Sequence, residues 1–365
     1  MNICIVAGAR PNFVKVAPIL RAIDKAREGG RDVTSTLVYA GTESDSTLEQ
    51  SLFDDLQMRR PDVYLGVDCV SLNELTGRVM GEFEHYLENH PTDVVIVVDD
   101  LASTMAAAIV TKKQGIRLAH LVAGTRSFDI RMPKEINRLV IDGLSDLLFT
   151  AGEGASQTVS REGAQLSQVY LVGNILMDTL RANYNRLRQP EVLAQKGLAD
   201  KEYLVFTLNR KALIDNRDNL RQMLKALLEA AGSTPVIAPL RGRAREAVES
   251  LLATINLPLS HFHITDPMGY LEFGYLTAHA RGIITDSGNV AEEATFNGVP
   301  CATLNDYTEH IETVRVGSNV LVGEDPGRLG ETVADMVAGR WKTSNLPDRW
   351  DGRSAERIVQ ILLQG

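Results

Sequence analysis

Short apolar runs alternate with longer segments whose apolar positions recur three and four residues apart. Asn2–Ala7 is such a run; the turn GARPN follows it, and 13–26 has helical spacing. The pattern predicts a strand over 33–39 and helices over 46–56 and 72–87. Val94–Val98 is unbroken β-branched, bounded by Pro91 and by Asp99 and Asp100, and fits a strand buried on both faces. A helix over 102–114, a strand over 117–121, a helix over 136–144 and a strand over Leu147–Thr150 complete the first half. Residues 173–203 are mostly polar, with a proline and a glycine, and read as a linker.

The alternation then restarts. Strands are predicted over 203–207, 235–238, Phe262–Thr265, Gly282–Thr285 and 301–304. Helices are predicted over 218–228, 244–252, Tyr270–Ala278, 289–297 and 326–336, and an amphipathic helix over 353–363 closes the chain. Strands alternating with helices imply α/β architecture with parallel sheets covered on both faces. The expected division is an N-terminal domain over 1–175, a C-terminal domain over 176–350 and a closing helix over 351–365. A functional cleft between the domains follows from that division.

Composition narrows the function classes. The 365 residues are 44% hydrophobic and 23% charged, as in a globular enzyme, and the net charge of −9 argues against nucleic acid held by a general positive field. A small anion in a local basic pocket remains compatible with that charge. Cys4, Cys69 and Cys301 have no ligand spacing, and Cys4 and Cys301 sit in apolar runs as buried thiols. This predicts a reducing compartment, the cytoplasm. The N-terminus reads as a strand rather than a signal peptide, and no apolar stretch reaches the roughly 18 residues of a membrane span. The histidines form no metal spacing with acids, so no metal site is predicted.

Five stretches have a chemical reading. GIITDSGNVAEEATFNGVP, at 282–300, runs from a strand end through small residues into a helix start. Backbone N–H groups there, with Ser287, Gly288 and Asn289, form a phosphate cradle, and Glu292 or Glu293 one turn later reaches a ribose diol. An ordinary capped helix explains the same residues. AGARPNFVK places Arg10 and Lys15 near a helix start as a basic, phosphate-sized place, although it is not a GxGxxG fingerprint, and Arg10 reads equally as a surface residue. In VVDDLAST, one of Asp99 and Asp100 faces the cleft and the other is structural, because adjacent residues at a strand end point different ways. In TLNRKALIDN, Asn209 and Arg210 suit a sugar-phosphate, or a solvated loop. HLVAGTRSFDIRMPKEINR, at 120–138, has the make-up of an active-site loop, with a Gly-x-Arg turn, a Met-Pro and Glu135 followed by Asn137 and Arg138, while His120 at the strand end reads equally as a structural histidine.

These motifs follow one order. GARPN corresponds to Gly-Thr-Arg-Pro-Glu. His120, Ala123, Gly124, Arg126, Pro133, Glu135, Asn137 and Arg138 correspond to His-Val-Glu-Ala-Gly-Leu-Arg … Pro-Glu-Glu-x-Asn-Arg. Gly173, Asn174 and Asp178, then Asp286-Ser287-Gly288 with Glu292, Glu293, Gly298 and Pro300, follow, and Thr308, Glu309, Glu312, Gly317, Val322 and Gly323 continue the series to Asp351, Gly352 and Ala355. In these features the chain resembles, from residue 2 through Ile361, the non-hydrolysing UDP-N-acetylglucosamine 2-epimerase family.

The resemblance implies two Rossmann-like domains facing a central cleft, the GT-B arrangement, in a homodimer. It implies a UDP-sugar as the bound partner, with no cofactor, no nucleic acid and no membrane. The implied route removes the C2 proton, expels UDP to leave a glycal, and adds both back on the other face. That requires acids and bases on both faces of C2 and charged groups for the diphosphate.

The chain departs from the family at several of those groups. Val122 and Lys134 stand where the family has glutamates, Asn209 where it has histidine, and Thr42-Glu43 where it has Gln-His. Arg241 replaces a histidine, Asn305 an arginine, and His310-Ile311 an Arg-Pro, whereas Asp100 is kept. The implied catalytic set is Asp100, Glu135, Lys134 and His120. The implied substrate-binding set is Arg10, Lys15, Asn209, Arg210, Arg241, Ser287, Gly288, Asn289, Glu292 and Glu309. The expected function is a nucleotide-sugar enzyme working at C1 and C2 with altered chemistry; the alternatives are hydrolysis, glycosyl transfer, or binding without turnover.

Overall fold

The computed structural model describes residues 1–165 and 168–364. The chain divides into two compact units, Met1–Ala182 with Asp348–Gly365, and Asn183–Pro347. The first holds a sheet of β1 (Asn2–Ala7), β2 (Thr34–Tyr39), β3 (Val63–Tyr64), β4 (Val94–Val98), β5 (Arg117–Ala123), β6 (Leu147–Thr150) and β7 (Val169–Leu171), in the order β3-β2-β1-β4-β5-β6-β7. The second holds β8 (Leu204–Phe206), β9 (Val236–Pro239), β10 (Phe262–Thr265), β11 (Gly282–Thr285), β12 (Cys301–Thr303) and β13 (Asn319–Leu321), in the order β10-β9-β8-β11-β12-β13. Every strand pair is parallel. Both orders reverse direction beside the first strand, at β1/β4 and β8/β11, as in Rossmann-like sheets, where ligands sit beyond the carboxyl ends of the strands.

The strand cores follow from composition. All five residues of β4 are buried, as its unbroken Val/Ile run predicts. Gly8, just after β1, lies against the helix Ala102–Lys113: a Cβ there would sit 2.0 Å from the Ser103 hydroxyl. The short strands β3, β7 and β13 were not among the predicted elements.

The region 173–203 is not a simple linker. It contains the helices Ile175–Asn183 and Glu191–Lys196. Ile175, Leu176 and Met177 are fully buried, and the Thr179 hydroxyl donates to the Val14 carbonyl. Asp178 accepts from the backbone N–H groups of Ser354 and Ala355 at 3.0 and 2.8 Å, so it holds the start of the helix Ser354–Gln364. Those bonds move the boundaries to 182/183 and 347/348, against the expected 175/176 and 350/351. They also make the closing helix part of the first unit. Among the described residues, no helix is long and apolar enough to cross a membrane.

Candidate active site

The loops after β1, β4 and β5 leave the same edge of the first sheet. Beyond β4 the chain turns at Asp99, whose φ of 60° lies in the left-handed region. Aspartate enters that region more readily than most residues. The Asp99 carboxylate accepts from Lys15 Nζ at 2.6 Å and from Asn12 Nδ2 at 2.8 Å. Asn12 Oδ1 accepts in turn from the N–H groups of Gly8 and Ala9 at 2.8 and 3.2 Å, which ties the GARPN turn to the end of β4. Arg10 opens the helix Arg10–Glu28 and is half-buried.

Asp100 points the other way. Its carboxylate meets Lys134 Nζ at 3.2 Å and Arg138 at 2.7 Å, and its carbonyl accepts from Asn137 Nδ2 at 2.8 Å. Burial pushes the Asp100 carboxyl up; the Lys134 and Arg138 charges outweigh it and hold the group below the usual carboxylate range. The two adjacent acids therefore divide their work as a strand end requires: Asp99 secures the loops, and Asp100 meets the cations of the helix Pro133–Leu144.

That helix aligns Glu135, Arg138 and Asp142 at spacings of three and four, on its buried face. Glu135 accepts from Ser127 N and Oγ at 2.8 and 2.9 Å, from Phe128 N at 3.0 Å and from Arg138 at 3.1 Å. Burial raises its pKa, but these donors outweigh burial and keep the carboxylate ionised. His120 is 1% exposed, with Nδ1 2.6 Å from Asp142 Oδ1 and Nε2 3.0 Å from the Asp99 carbonyl. Asp142 also accepts from Arg126 at 2.7 Å and from Gly124 N at 3.1 Å, and Arg126 reaches Glu162 through Nε at 3.0 Å. Glu135 and His120 are thus enclosed in the framework. Asp100 and Lys134 form a direct pair, with the lysine side chain 61% exposed.

Val122 has φ of 72°, and the β5–β6 register slips between Leu121 and Ala123. A β-branched residue in the left-handed region costs about 1–2 kcal/mol. Gly124, at φ of 79°, is the residue type its place demands, because a Cβ there would lie 2.4 Å from the Ala155 carbonyl oxygen. A polar cavity of about 420 Å³ opens beside Gly8 and Ser103, bordered by Tyr39, Thr42, Ser44 and Asp45.

In the second unit, the loops after β8, β9, β11 and β12 share one sheet edge. Asp286 accepts from the N–H groups of Asn209 and Arg210 at 2.7 and 2.5 Å, joining the β8 and β11 loops. The Arg210 guanidinium donates to the Leu304 carbonyl at 2.9 Å, to Glu324 at 2.7 Å and to the Asn305 side chain. Ser287 stands at the cap of the helix Gly288–Asn297, yet its side chain makes no capping bond. The simple capped-helix reading is therefore not realised there, and Gly288 and Asn289 are exposed. Glu292 lies 3.7 Å from His310 Nε2, and both are buried. Burial, then the Glu292 charge, pushes Glu293 up to about 8. Arg241 caps the helix Gly242–Leu252 by position and is exposed, as is Glu309 beyond β12.

The sequence reading left Arg138, Asp142, Asn12 and Asp286 out of the site. The first two carried a signal in their spacing from Glu135. Asn12 and Asp286 act through long-range bonds that no local spacing reveals. Among the described residues, no group of three or more His, Cys, Asp or Glu side chains is arranged to hold a metal ion.

Comparison with known proteins finds that the family model described as UDP-N-acetylglucosamine 2-epimerase matches residues 25–363. The chain is 32% identical over 373 residues to a UDP-N-acetylglucosamine 2-epimerase of Methanocaldococcus jannaschii, covering 100% of both chains. It is 33% identical over 366 residues to the UDP-2,3-diacetamido-2,3-dideoxy-D-glucuronate 2-epimerase of Pseudomonas aeruginosa, covering 99% of each. Its fold matches the crystal structure of the Methanocaldococcus jannaschii UDP-GlcNAc 2-epimerase in complex with UDP-GlcNAc and UDP, with a TM-score of 0.84 at 32% identity over 100% of both chains.

Proposed function

The chain belongs to the UDP-N-acetylglucosamine 2-epimerase family, and on that premise we propose that it isomerises a UDP-linked 2-acetamido sugar at C2. The observation that carries this reading is the Asp100 carboxylate, held ionised between Lys134 and Arg138 at the carboxyl end of β4. An ionised carboxylate can take a proton, and Val122 cannot. We infer that Lys134, whose side chain is mostly exposed, turns from Asp100 to the diphosphate when substrate binds. Withdrawing that cation raises the Asp100 pKa and makes it a better base when it is needed. Lys15 and Arg10 serve the departing UDP, and Ser287, Gly288, Asn289, Asn209, Arg210, Arg241, Glu292 and Glu309 bind the nucleotide. His120 and Glu135 support the reaction by holding the loops that carry Asp100 and Lys134.

We propose further that the enzyme is a cytoplasmic homodimer. Ile136 and Leu139 on the helix Pro133–Leu144, with Phe128 and Ile130 before it, are exposed large apolar side chains beside the site. Such a cluster suits a second copy better than water. Cys4 and Cys301 are buried with thiols pushed up to about 12, as inert reduced cysteines are. Sedimentation that gives a monomer at micromolar concentration overturns the dimer.

The activity is tested by incubation in heavy water with UDP-N-acetylglucosamine and, separately, with UDP-2,3-diacetamido-2,3-dideoxy-D-glucuronate. The expected result is deuterium at C2 of the epimerised product from one of the two. Release of UDP without deuterium at C2 replaces the reading with hydrolysis or transfer, which the valine at position 122 would then explain. Binding without either outcome makes the protein a nucleotide-sugar binder.

A further inference from the structure

We propose that His120 carries a proton on each ring nitrogen and, as an imidazolium, is the positioning residue that fixes the peptide joining Asp99 to Asp100. The inference rests on the reading of Asp100 as the proton-transfer group.

The two atoms that face the ring are both acceptors. Nδ1 lies 2.6 Å from Asp142 Oδ1, and Nε2 lies 3.0 Å from the Asp99 carbonyl oxygen. A backbone carbonyl has no proton to give, and an ionised carboxylate has none either. Neutral imidazole has one N–H, so it would leave one acceptor facing a nitrogen lone pair at hydrogen-bond distance. With His120 1% exposed, water does not relieve that clash. Two protons satisfy both contacts.

Charge counting agrees. Asp142 is shared by His120 and Arg126, and Arg126 is shared by Asp142 and Glu162. With an imidazolium, this cluster holds two cations and two carboxylates and is neutral. With a neutral ring it would hold a net negative charge around a side chain that is 4% exposed, Asp142. On its other side the ring meets the backbone carbonyl of Asp99, a residue whose carboxylate is itself paired with Lys15.

The geometry explains what the proton is for. Asp99 is held at a φ of 60°, which the chain would otherwise relax. The Nε2 proton grips the carbonyl of that residue, and Asn137 grips the carbonyl of the next. Asp100 is thereby fixed through both peptides. The Nδ1 proton binds Asp142, on the helix that carries Lys134 and Arg138. One ring therefore joins the two elements whose side chains make the Asp100 ion pairs.

The experiment is 15N NMR of the full chain labelled at the histidine ring nitrogens, at neutral pH, with His120 assigned through its backbone. We expect both nitrogens of His120 to show the protonated signature. A neutral-tautomer pattern overturns the imidazolium, whether or not the protein turns over a sugar. The positioning role is read in His120→Gln, and in His120→Asn should the first not fold. Carboxyl 13C titration is expected to move Asp100 upward as its cations slip away, and kcat to fall at least tenfold while KM changes less than twofold. An unmoved Asp100 overturns the positioning role without reference to activity. A moved Asp100 in a protein whose wild type lacks C2 exchange keeps this inference and removes the proposed reaction instead.

Discussion

The carboxyl edges of the two sheets occupy equivalent places in equivalent folds, yet they are built in different ways. At the first, Asp99, Val122 and Phe128 all have left-handed backbone, and Asp99, Asp100, Glu135 and Asp142 are each engaged by a cation or a set of backbone donors. In the second unit the only such non-glycine residue among those described is Lys201, which precedes β8. Its edge is tied by Asp286 and by the Arg210–Glu324 pair, and leaves the Ser287 side chain out of its own helix cap. The acids also differ in sign. Asp100, Glu135 and Asp142 are held below their ordinary range against the push of burial, whereas Glu293 is pushed up to about 8. The lesson is that burial alone does not decide a carboxylate's charge: the cations and donors packed around it do, as Asp100 beside Lys134 and Arg138 and Glu293 beside Glu292 show. A valine at position 122 occupies a strained turn of the first edge.

The largest expected effect breaks the first edge alone. Asp142→Ala strands His120 and Arg126 in the interior and should cost about 3–5 kcal/mol in urea unfolding. Asp286→Ala loses two hydrogen bonds at a half-exposed site and should cost about 1–3 kcal/mol. Equal losses would erase the contrast.

Next, chemistry and binding should separate. Asp100→Asn should lower kcat at least about a hundredfold. Ser287→Ala should raise KM and leave kcat within about a factor of two. A kcat loss in the second variant would bring that edge into the chemistry.

A third measurement follows stability against pH. Native Glu293 keeps its proton up to about 8, whereas the unfolded chain releases it near the ordinary value of 4.5. The folded state binds the extra proton between those values, so stability falls as pH rises through that window. Glu293→Gln should flatten the slope. Carboxylates held low act oppositely: their stabilisation is present above the ordinary carboxylate value and is lost as pH falls through their depressed folded values. An unchanged slope in Glu293→Gln would remove this distinction.

The smallest effect is the most local. Val122→Gly should raise unfolding stability by about 1 kcal/mol, because glycine enters the left-handed region without the Cβ clash. A loss of stability would mean that valine packing outweighs the backbone strain.

Much of this was legible in the chain. The β-branched run of β4 could only be an interior strand, and Asp-Ser-Gly before a helix announced a strand-to-helix turn. β3, β7 and β13 escaped because two or three half-buried residues carry no periodicity. The helix Ile175–Asn183 escaped because its polar residues masked a buried stripe of Ile175, Leu176, Met177 and Leu180. Motif order singled out the stretches that lie at the strand ends, but not which side chains pair there. Lys15 and Asp99 are 84 positions apart, and a spacing rule on either helix or strand cannot join them.

The chain leaves the first unit at Ala182 and returns to it at Asp348. On return, Trp350 is buried and donates to the Ala151 carbonyl, and Asp178 receives the start of the helix Ser354–Gln364. In the order of synthesis, the second unit is continuous and can close while the first still waits for its final segment. A nascent chain that has not yet supplied this returning segment therefore presents a complete sheet whose helical cover still lacks Trp350 and the helix Ser354–Gln364. Stop codons near residue 347 should give a protein whose second unit folds and whose first unit needs a chaperone or a proteolytic fate. The first unit is completed only by a segment that follows the whole of the second.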